Sequence, residues 1–111
     1  MEHFALNRLD ALNHIQSEFD SYQKNFFPER KPEFFCLELN GEAGELANEE
    51  KKLWKGKSVD KSQLEDEAAD VFIALMNYSN SRQINLTEAV KEKLFKIENK
   101  RKSLAKEGKE Y

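Results

Sequence analysis

Residues 38–70 of the chain read ELNGEAGELANEEKKLWKGKSVDKSQLEDEAAD, and this stretch decides the predicted fold. It contains two pairs of carboxylates, Glu42 with Glu45 and Glu67 with Asp70, and the members of each pair are three residues apart. On an α-helix that spacing places both side chains on one face. A short glycine-containing break between the pairs is long enough to reverse the chain. The sequence therefore predicts two antiparallel helices whose acidic pairs face each other.

Four carboxylates brought together repel one another unless a cation neutralises them. An all-oxygen site of this kind suits Mg²⁺, and Mn²⁺ is the other ion that it would accept. The predicted metal ligands are Glu42, Glu45, Glu67 and Asp70. A solvated acidic helix face would show the same spacing, so the spacing of the carboxylates alone is weak evidence for a metal site. Glu67 and Asp70 adjoin an apolar stripe, however, and carboxylates next to a core face are costly unless they are paired or bound to metal.

Composition points to a single all-α domain over residues 1–111. Glycine occurs four times and proline twice, which favours long elements with few turns. No apolar stretch approaches the roughly 18 residues of a membrane helix, and residues 1–12 lack the apolar run of a signal peptide. A single cysteine rules out an intramolecular disulfide. A cytoplasmic protein without a membrane partner is expected.

Apolar residues recur at spacings of three and four through most of the chain, which predicts helices at roughly residues 3–25, 33–55, 60–82 and 86–106. Pro28 and Pro32 break the chain between the first two helices. Gly56 is a predicted C-cap, and Asp60 and Asn85 are predicted N-caps, each with Gln or Glu three residues later.

Charge is distributed unevenly along the chain. Residues 91–111 carry 8 basic and 4 acidic side chains, a net +4, whereas the remaining 10 basic and 17 acidic side chains give −7. The acidic body would repel nucleic acid, so no nucleic-acid partner is expected. A small polyphosphate held between a metal ion and a few lysines fits both parts of the chain.

LNGEAGELANEEKKLWKGK followed by LEDEAADVFIAL resembles the MazG-like all-α nucleoside triphosphate pyrophosphohydrolases. Their ExxE and ExxD signatures are matched here by Glu42-Ala-Gly-Glu45 and Glu67-Ala-Ala-Asp70. The resemblance covers residues 32–101. Within that range it includes the aromatic-Lys-Gly-Lys break that begins at Trp54.

The resemblance implies a four-helix bundle that assembles as a homodimer or a dimer-based tetramer. It implies cleavage of nucleoside triphosphates to monophosphate and pyrophosphate, with the four carboxylates as Mg²⁺ ligands. Lys93 falls where some members have a phosphate-binding lysine, and Lys96 and Arg101 are further candidates on the same helix. Phe26 and Trp54 are candidate base-binding aromatics, although core or interface packing would explain both.

The resulting hypothesis is metal-assisted hydrolysis at the α-phosphorus, with Asp66 or Glu38 as candidates to orient or deprotonate the water. Two alternatives stay open. The chain could instead be a phosphoribosyl-ATP pyrophosphohydrolase, which has a similar bundle and similar acidic motifs. It could also be a non-catalytic helical interaction module, in which the acidic stripe is only solvated surface.

Overall fold

The computed structural model describes residues 4–111 and shows four α-helices and one short 3-10 helix, with no strand among those residues. The 3-10 helix covers Leu6–Leu9, and the α-helices are α1 Asp10–Phe26, α2 Pro32–Trp54, α3 Lys61–Ser81 and α4 Leu86–Lys106. The predicted all-α chain of four helices is therefore confirmed. None of the described helices combines the length and the apolar character that a membrane span requires.

The first α-helix begins later than the sequence predicted. Residue 3, where the prediction began, lies outside the described residues, and Phe4 and Ala5 are not helical. Ala5 supplies no side-chain cap, and the chain enters α1 through the 3-10 turn. Side chains three residues apart lie in line on a 3-10 helix, so Leu6 and Leu9 are both half-buried beside α1 and α4.

Local capping chemistry explains where the other helices begin and end. Gly56 adopts a left-handed φ of 84° after α2, and the Lys57 amide donates to the Lys52 carbonyl at 2.9 Å, which together form a Schellman motif. At the start of α4, the Asn85 side chain accepts the Glu88 amide at 3.1 Å, as predicted. Asp60 stands at the N-cap position of α3 but makes no side-chain cap hydrogen bond.

The end of α3 uses the same Schellman motif without a glycine. Gln83 adopts a φ of 57°, and the Ile84 amide donates to the Ser79 carbonyl at 2.8 Å. A left-handed conformation costs a non-glycine residue roughly 1–2 kcal/mol. The sharp turn directs the chain from α3 back into α4 after only a few residues.

The helices pack as an antiparallel α2–α3 hairpin, with α1 against α3 and α4 against α1 and the 3-10 helix. Among the described residues, the buried apolar side chains are few: Phe35, Ala74, Met76 and Leu86. Most of them lie on α2 and α3, so the hairpin carries most of this small core. The acidic pairs predicted to face each other are on these two helices.

A polar network holds α1 against the α3–α4 turn. Gln16 is only 6% exposed and donates to the Asn80 side chain at 3.0 Å and to the Ile84 carbonyl at 2.7 Å. Its carbonyl oxygen Oε1 accepts the Leu86 amide at 3.1 Å. Lys91 of α4 adds an ion pair to Asp10 of α1 at 2.9 Å. Hydrogen bonds and this ion pair therefore contribute to holding α1 against the α3–α4 turn.

Candidate metal centre

The α2–α3 hairpin brings the two predicted acidic pairs together. Glu42 and Glu45 lie on α2, and Glu67 and Asp70 lie on α3. Carboxylate oxygens of Glu42, Glu67 and Asp70 all lie within 4.8 Å of one another. Glu45 is more exposed, but its charge acts on both Glu42 and Glu67. The four residues predicted as ligands therefore form one cluster, in which three members converge closely.

Burial and the neighbouring carboxylates raise the pKa of two members of the cluster, Glu42 and Glu67. Burial is the largest cause that raises the pKa of Glu42 to about 7, and the charges of Glu45, Asp70 and Glu67 raise it further. The pKa of Glu67 is raised by the same two kinds of cause, burial first and then its contact with Glu45. A cation between these carboxylates would offset the repulsion that adds to the effect of burial on both pKa values.

Two oxygens of the cluster have no partner within the described residues. Oε2 of Glu42 and Oε2 of Glu67 are buried and accept no hydrogen bond. Buried polar atoms are nearly always satisfied, because an unsatisfied one costs free energy. A divalent cation with a preference for oxygen ligands would satisfy both, so the donor set fits Mg²⁺ or Mn²⁺.

The two glycines beside Glu42 border open space. Gly41 and Gly44 flank Glu42 on α2, and a β-carbon built at either position would meet no atom within 4 Å. The sequence left two explanations for these glycines, close helix approach or room for a ligand. Within the described residues, no helix approaches them closely.

We expect the metal-free protein to lose stability as the pH rises from 6 to 8. The native pKa of Glu42, about 7, is above its ordinary value of 4.5, so the native state binds this proton more tightly than the unfolded state does. The stability that protonation provides is complete below pH 4.5 and disappears as the pH rises through 7. Thermal unfolding in EDTA across this range measures the effect.

The matched variant for this measurement is Glu42→Gln, which keeps the shape of the side chain and removes the titrating proton. Its stability should change less between pH 6 and pH 8 than that of the wild type. An equal pH dependence in the two proteins would show that Glu42 is not the titrating group. Added Mg²⁺ should stabilise the wild type more at pH 8 than at pH 6, because ligands must lose their protons to bind it.

The predicted phosphate-binding residues are on α4, which packs against α1 and the 3-10 helix. Lys96 pairs with Glu92 at 3.3 Å, and Arg101 pairs with Glu98. Lys93 has no ion-pair partner within the described residues. None of the ion pairs within the described residues joins any of the three to the four carboxylates, and phosphate binding by these residues stays a prediction.

The two aromatic side chains predicted to bind the base lie far apart. Phe26 is 72% exposed at the end of α1, where its ring packs 5.5 Å from that of Tyr22. Trp54 is 89% exposed at the end of α2, beside a hollow of about 670 Å³. Nine residues separate it from Glu45, about 13 Å along the helix. Base binding by either residue stays a prediction.

The two candidates for orienting water have different surroundings. Glu38 lies one turn before Glu42 on α2 and is half-buried, whereas Asp66 is exposed on α3. The charge of Asp66 contributes to raising the pKa of Glu67. The choice between these two residues stays open.

A larger cavity, which the sequence did not predict, lies at the other end of the hairpin and has a volume of about 920 Å³. Its walls come from the connection at residues 27–32, from α1 and from the end of α3, and we call it the proline-side cavity. Phe35 and Asn77 line it and are both buried. Asn77 follows Asp70 by seven residues, which places both on the same face of α3. This spacing was the one signal in the sequence that could have associated Asn77 with the acidic cluster.

The family model for the MazG nucleotide pyrophosphohydrolase domain matches residues 30–105. That range covers most of the chain and includes both acidic motifs. The chain belongs to the MazG nucleotide pyrophosphohydrolase domain family. The resemblance read from residues 32–101 is thereby confirmed. Membership supports a nucleotide pyrophosphohydrolase activity in general and a metal-dependent one, in agreement with the acidic cluster of this MazG domain. Neither the curated proteins nor the solved structures contain a significant match to it.

Proposed function

We propose that this MazG domain hydrolyses nucleoside or deoxynucleoside triphosphates to the monophosphate and pyrophosphate in a Mg²⁺-dependent reaction. The observation that carries the proposal is the convergence of Glu42, Glu67 and Asp70 within 4.8 Å, with a buried oxygen unpartnered on each of the two glutamates. The proposed role is removal of unwanted nucleotides from the cytoplasmic pool.

In the proposed reaction, a water oxygen forms a bond to the α-phosphorus while the bond to the oxygen that bridges to the β-phosphorus breaks, and pyrophosphate leaves. The carboxylates of α2 and α3 would hold the metal, which lowers the pKa of water and offsets charge on the phosphates. Glu38 or Asp66 would orient the water and accept the proton that it loses. The chain's own contribution is a fixed, partly buried set of oxygen donors that needs little rearrangement.

Lys93, Lys96 and Arg101 are proposed to neutralise the phosphates and the leaving pyrophosphate. Within one chain α4 packs on α1 and the 3-10 helix, so we propose that α4 of a second copy approaches the carboxylates. Lys93 is the best placed chemically, because no ion pair within the described residues occupies its charge.

The test of the proposal is pyrophosphate release from a panel of canonical, deoxy and modified nucleoside triphosphates, measured with Mg²⁺ and with EDTA. Metal-dependent release from part of the panel is the expected result. Failure of the folded protein to release pyrophosphate from any member would refute the proposal. Phosphoribosyl-ATP belongs in the same panel, because cleavage of that compound alone would identify the alternative enzyme.

A non-catalytic module would behave differently in a second measurement. An enzyme that binds Mg²⁺ at the carboxylate cluster gains thermal stability from the ion, because the native state binds it and the unfolded state does not. A module whose acidic stripe is only solvated surface gains none. A thermal shift with Mg²⁺ that disappears in Glu42→Gln distinguishes the two.

A second copy of the chain is the proposed protein partner. The chain exposes 8609 Å², whereas a compact protein of 13.0 kDa exposes about 6,300 Å². Its radius of gyration is 17.5 Å, against about 13 Å for a compact domain of this length. The excess area is more than the roughly 800 Å² that each partner contributes to a standard interface. The exposed apolar side chains on α2 and α3 are Phe34, Leu37, Trp54, Phe72 and Ile73.

We therefore expect sedimentation equilibrium to give twice or four times the chain mass of 13.0 kDa. The melting temperature should also rise with protein concentration, because association stabilises the folded chain by mass action. A mass of 13.0 kDa at all concentrations, with a melting temperature independent of dilution, would exclude a homo-oligomer.

A further inference from the structure

The side of α2 opposite α3 has no partner in the part of the chain that the structure describes, where α2 packs extensively on α3 alone. The buried and half-buried residues at spacings of three and four along α2 are Phe35, Leu39, Glu42, Leu46, Glu49 and Leu53. At about 100° per residue, the opposite side of the helix carries Glu33, Leu37, Gly44 and Lys51, with Lys55 at the C-cap. All five are exposed, and we call them the outer face of α2.

Large apolar side chains are left in solvent toward both ends of α2. Leu37 is 73% exposed near its start, and Trp54 is 89% exposed at its end. Every residue that lines the hollow of about 670 Å³ beside Trp54 lies between positions 47 and 55, and Lys51 and Lys55 of the outer face are among them. Because a single segment forms this lining, the described chain supplies no second wall for the hollow.

The residues of the outer face are arranged symmetrically about Gly44. Leu37 and Lys51 each lie seven residues from it, and Glu33 and Lys55 each lie eleven residues from it. A second copy that runs antiparallel, with the two glycines facing each other, places Leu37 against the aliphatic stem of the partner's Lys51. The same register places Glu33 beside the partner's Lys55. A parallel copy would instead bring like charges together.

The charges that this arrangement would pair are otherwise unused. Neither Glu33 nor Lys51 nor Lys55 forms an ion pair within the described residues. The outer face is acidic at its start and basic at its end, so it is complementary in charge to an antiparallel copy of itself.

Gly44 allows two backbones to approach closely at the centre of the outer face. A β-carbon built there would meet no atom within 4 Å, so that space is open. Glycine weakens a helix relative to alanine, and close approach of a second backbone is one of its uses. The helix has 23 residues and offers a contact about 35 Å long. The area that the chain exposes beyond that of a compact chain also exceeds what one partner contributes to a standard interface.

We propose that the outer face of α2 is the contact surface of a symmetric homodimer, in which two copies of α2 pack antiparallel with Gly44 on the two-fold axis. A two-fold axis makes the same patch contact itself, so every contact away from the axis occurs twice. The inference rests on the self-association proposed above and specifies its surface, direction and register. It is independent of the hydrolysis reaction, because Glu42 lies on the side of α2 that faces α3.

Cysteine cross-linking tests the register, in a Cys36→Ser background that removes the exposed native thiol. Helices packed about 8–10 Å apart bring facing Cα atoms within the distance that a disulfide spans. Gly44→Cys should give a disulfide-linked dimer on a non-reducing denaturing gel after oxidation, because a residue on the axis faces its own copy. Leu37→Cys combined with Lys51→Cys should cross-link as well.

The matched control is Leu37→Cys alone, which makes a comparable change on the same face. In the antiparallel register this residue lies about 21 Å along the helix from its own copy, so the variant should not cross-link. Cross-linking of Leu37→Cys as efficient as that of Gly44→Cys would overturn the register.

A charge exchange tests the contact without a new thiol. Glu33→Lys and Lys55→Glu should each weaken the dimer about 10-fold, because each places like charges together at both ends of the symmetric contact. The double variant restores opposite charges and should return the dissociation constant close to that of the wild type. Glu18→Lys makes the same change at an exposed position of α1 and should have little effect. Sedimentation equilibrium measures all four.

The outcomes separate this inference from the proposed function. If the chain self-associates but the folded Gly44→Cys variant does not cross-link and the charge variants associate like the wild type, another surface forms the oligomer and the inference is overturned. A chain that stays monomeric at all concentrations would also overturn it. If the dimer is cross-linked through Gly44→Cys but the wild type releases pyrophosphate from no triphosphate, the proposed function fails and the inference stands.

Discussion

Glu67→Gln should reduce pyrophosphate release by at least about 1,000-fold while the helical content, measured by circular dichroism, stays unchanged. The substitution keeps the shape of the side chain but replaces a charged donor of the cluster with a neutral amide. A metal site stabilises the transition state by several kcal/mol, and the loss of one ligand from it accounts for a rate reduction of this size. Steady-state rates at saturating Mg²⁺ measure it.

The same variant should be more stable than the wild type when EDTA removes divalent ions. Burial and the neighbouring carboxylates raise the pKa of Glu67, so its charged form is unfavourable in the metal-free native state. A neutral glutamine removes that repulsion, and the melting temperature should rise. Stability gained at the expense of activity is common where a site holds like charges together.

Glu65→Gln is the matched control, because it makes the same chemical change on α3 at an exposed position outside the cluster. It should leave both the rate and the metal-free melting temperature close to those of the wild type. Full activity in Glu67→Gln would remove Glu67 from the proposed machinery. An equal loss in both variants would attribute the effect to the net charge of α3 instead of the site.

Gln16→Ala should destabilise the protein by about 3 kcal/mol, the largest stability effect that we expect from a single polar substitution here. The change removes hydrogen bonds to the Asn80 side chain, the Ile84 carbonyl and the Leu86 amide. Each buried group left without a partner costs roughly 1–3 kcal/mol. Against a total stability of roughly 5–15 kcal/mol, this is a substantial loss. Urea unfolding measures it.

Gln63→Ala is the control for this experiment, since Gln63 is exposed near the start of α3 and its side chain makes no hydrogen bond in the part of the chain that the structure describes. Its free energy of unfolding should change by less than about 0.5 kcal/mol. If Gln16→Ala proved as mild as Gln63→Ala, the α1–α3–α4 contact would be held by apolar packing and not by this network.

The pattern of residues predicted the elements well because the relevant signals are local. Three- and four-residue apolar spacing located the last three helices nearly to the residue, and Gly56 and Asn85 marked boundaries that the left-handed backbone of the glycine and the side-chain cap of the asparagine enforce. The start of α1 was wrong, because the 3-10 turn at Leu6–Leu9 satisfies the same spacing with different hydrogen bonds. The Schellman turn at Gln83 was not predicted, because it lacks the glycine that usually indicates such a turn in a sequence.

The carboxylate cluster was predictable for a related reason. The two acidic motifs are on consecutive helices joined by a short turn, so the helices must pack antiparallel. If each helix turns its acidic face toward the other, the carboxylates of the two motifs come together. The sequence thus determined the helices, the pairing of α2 with α3 and the carboxylates that meet there. Tertiary structure alone decided that α4 packs on α1 and the 3-10 helix, that Gln16 is buried in a network, and that Asn77 lines a cavity. Those outcomes depend on contacts between residues distant in the chain, and the spacing along a single helix carries no information about them.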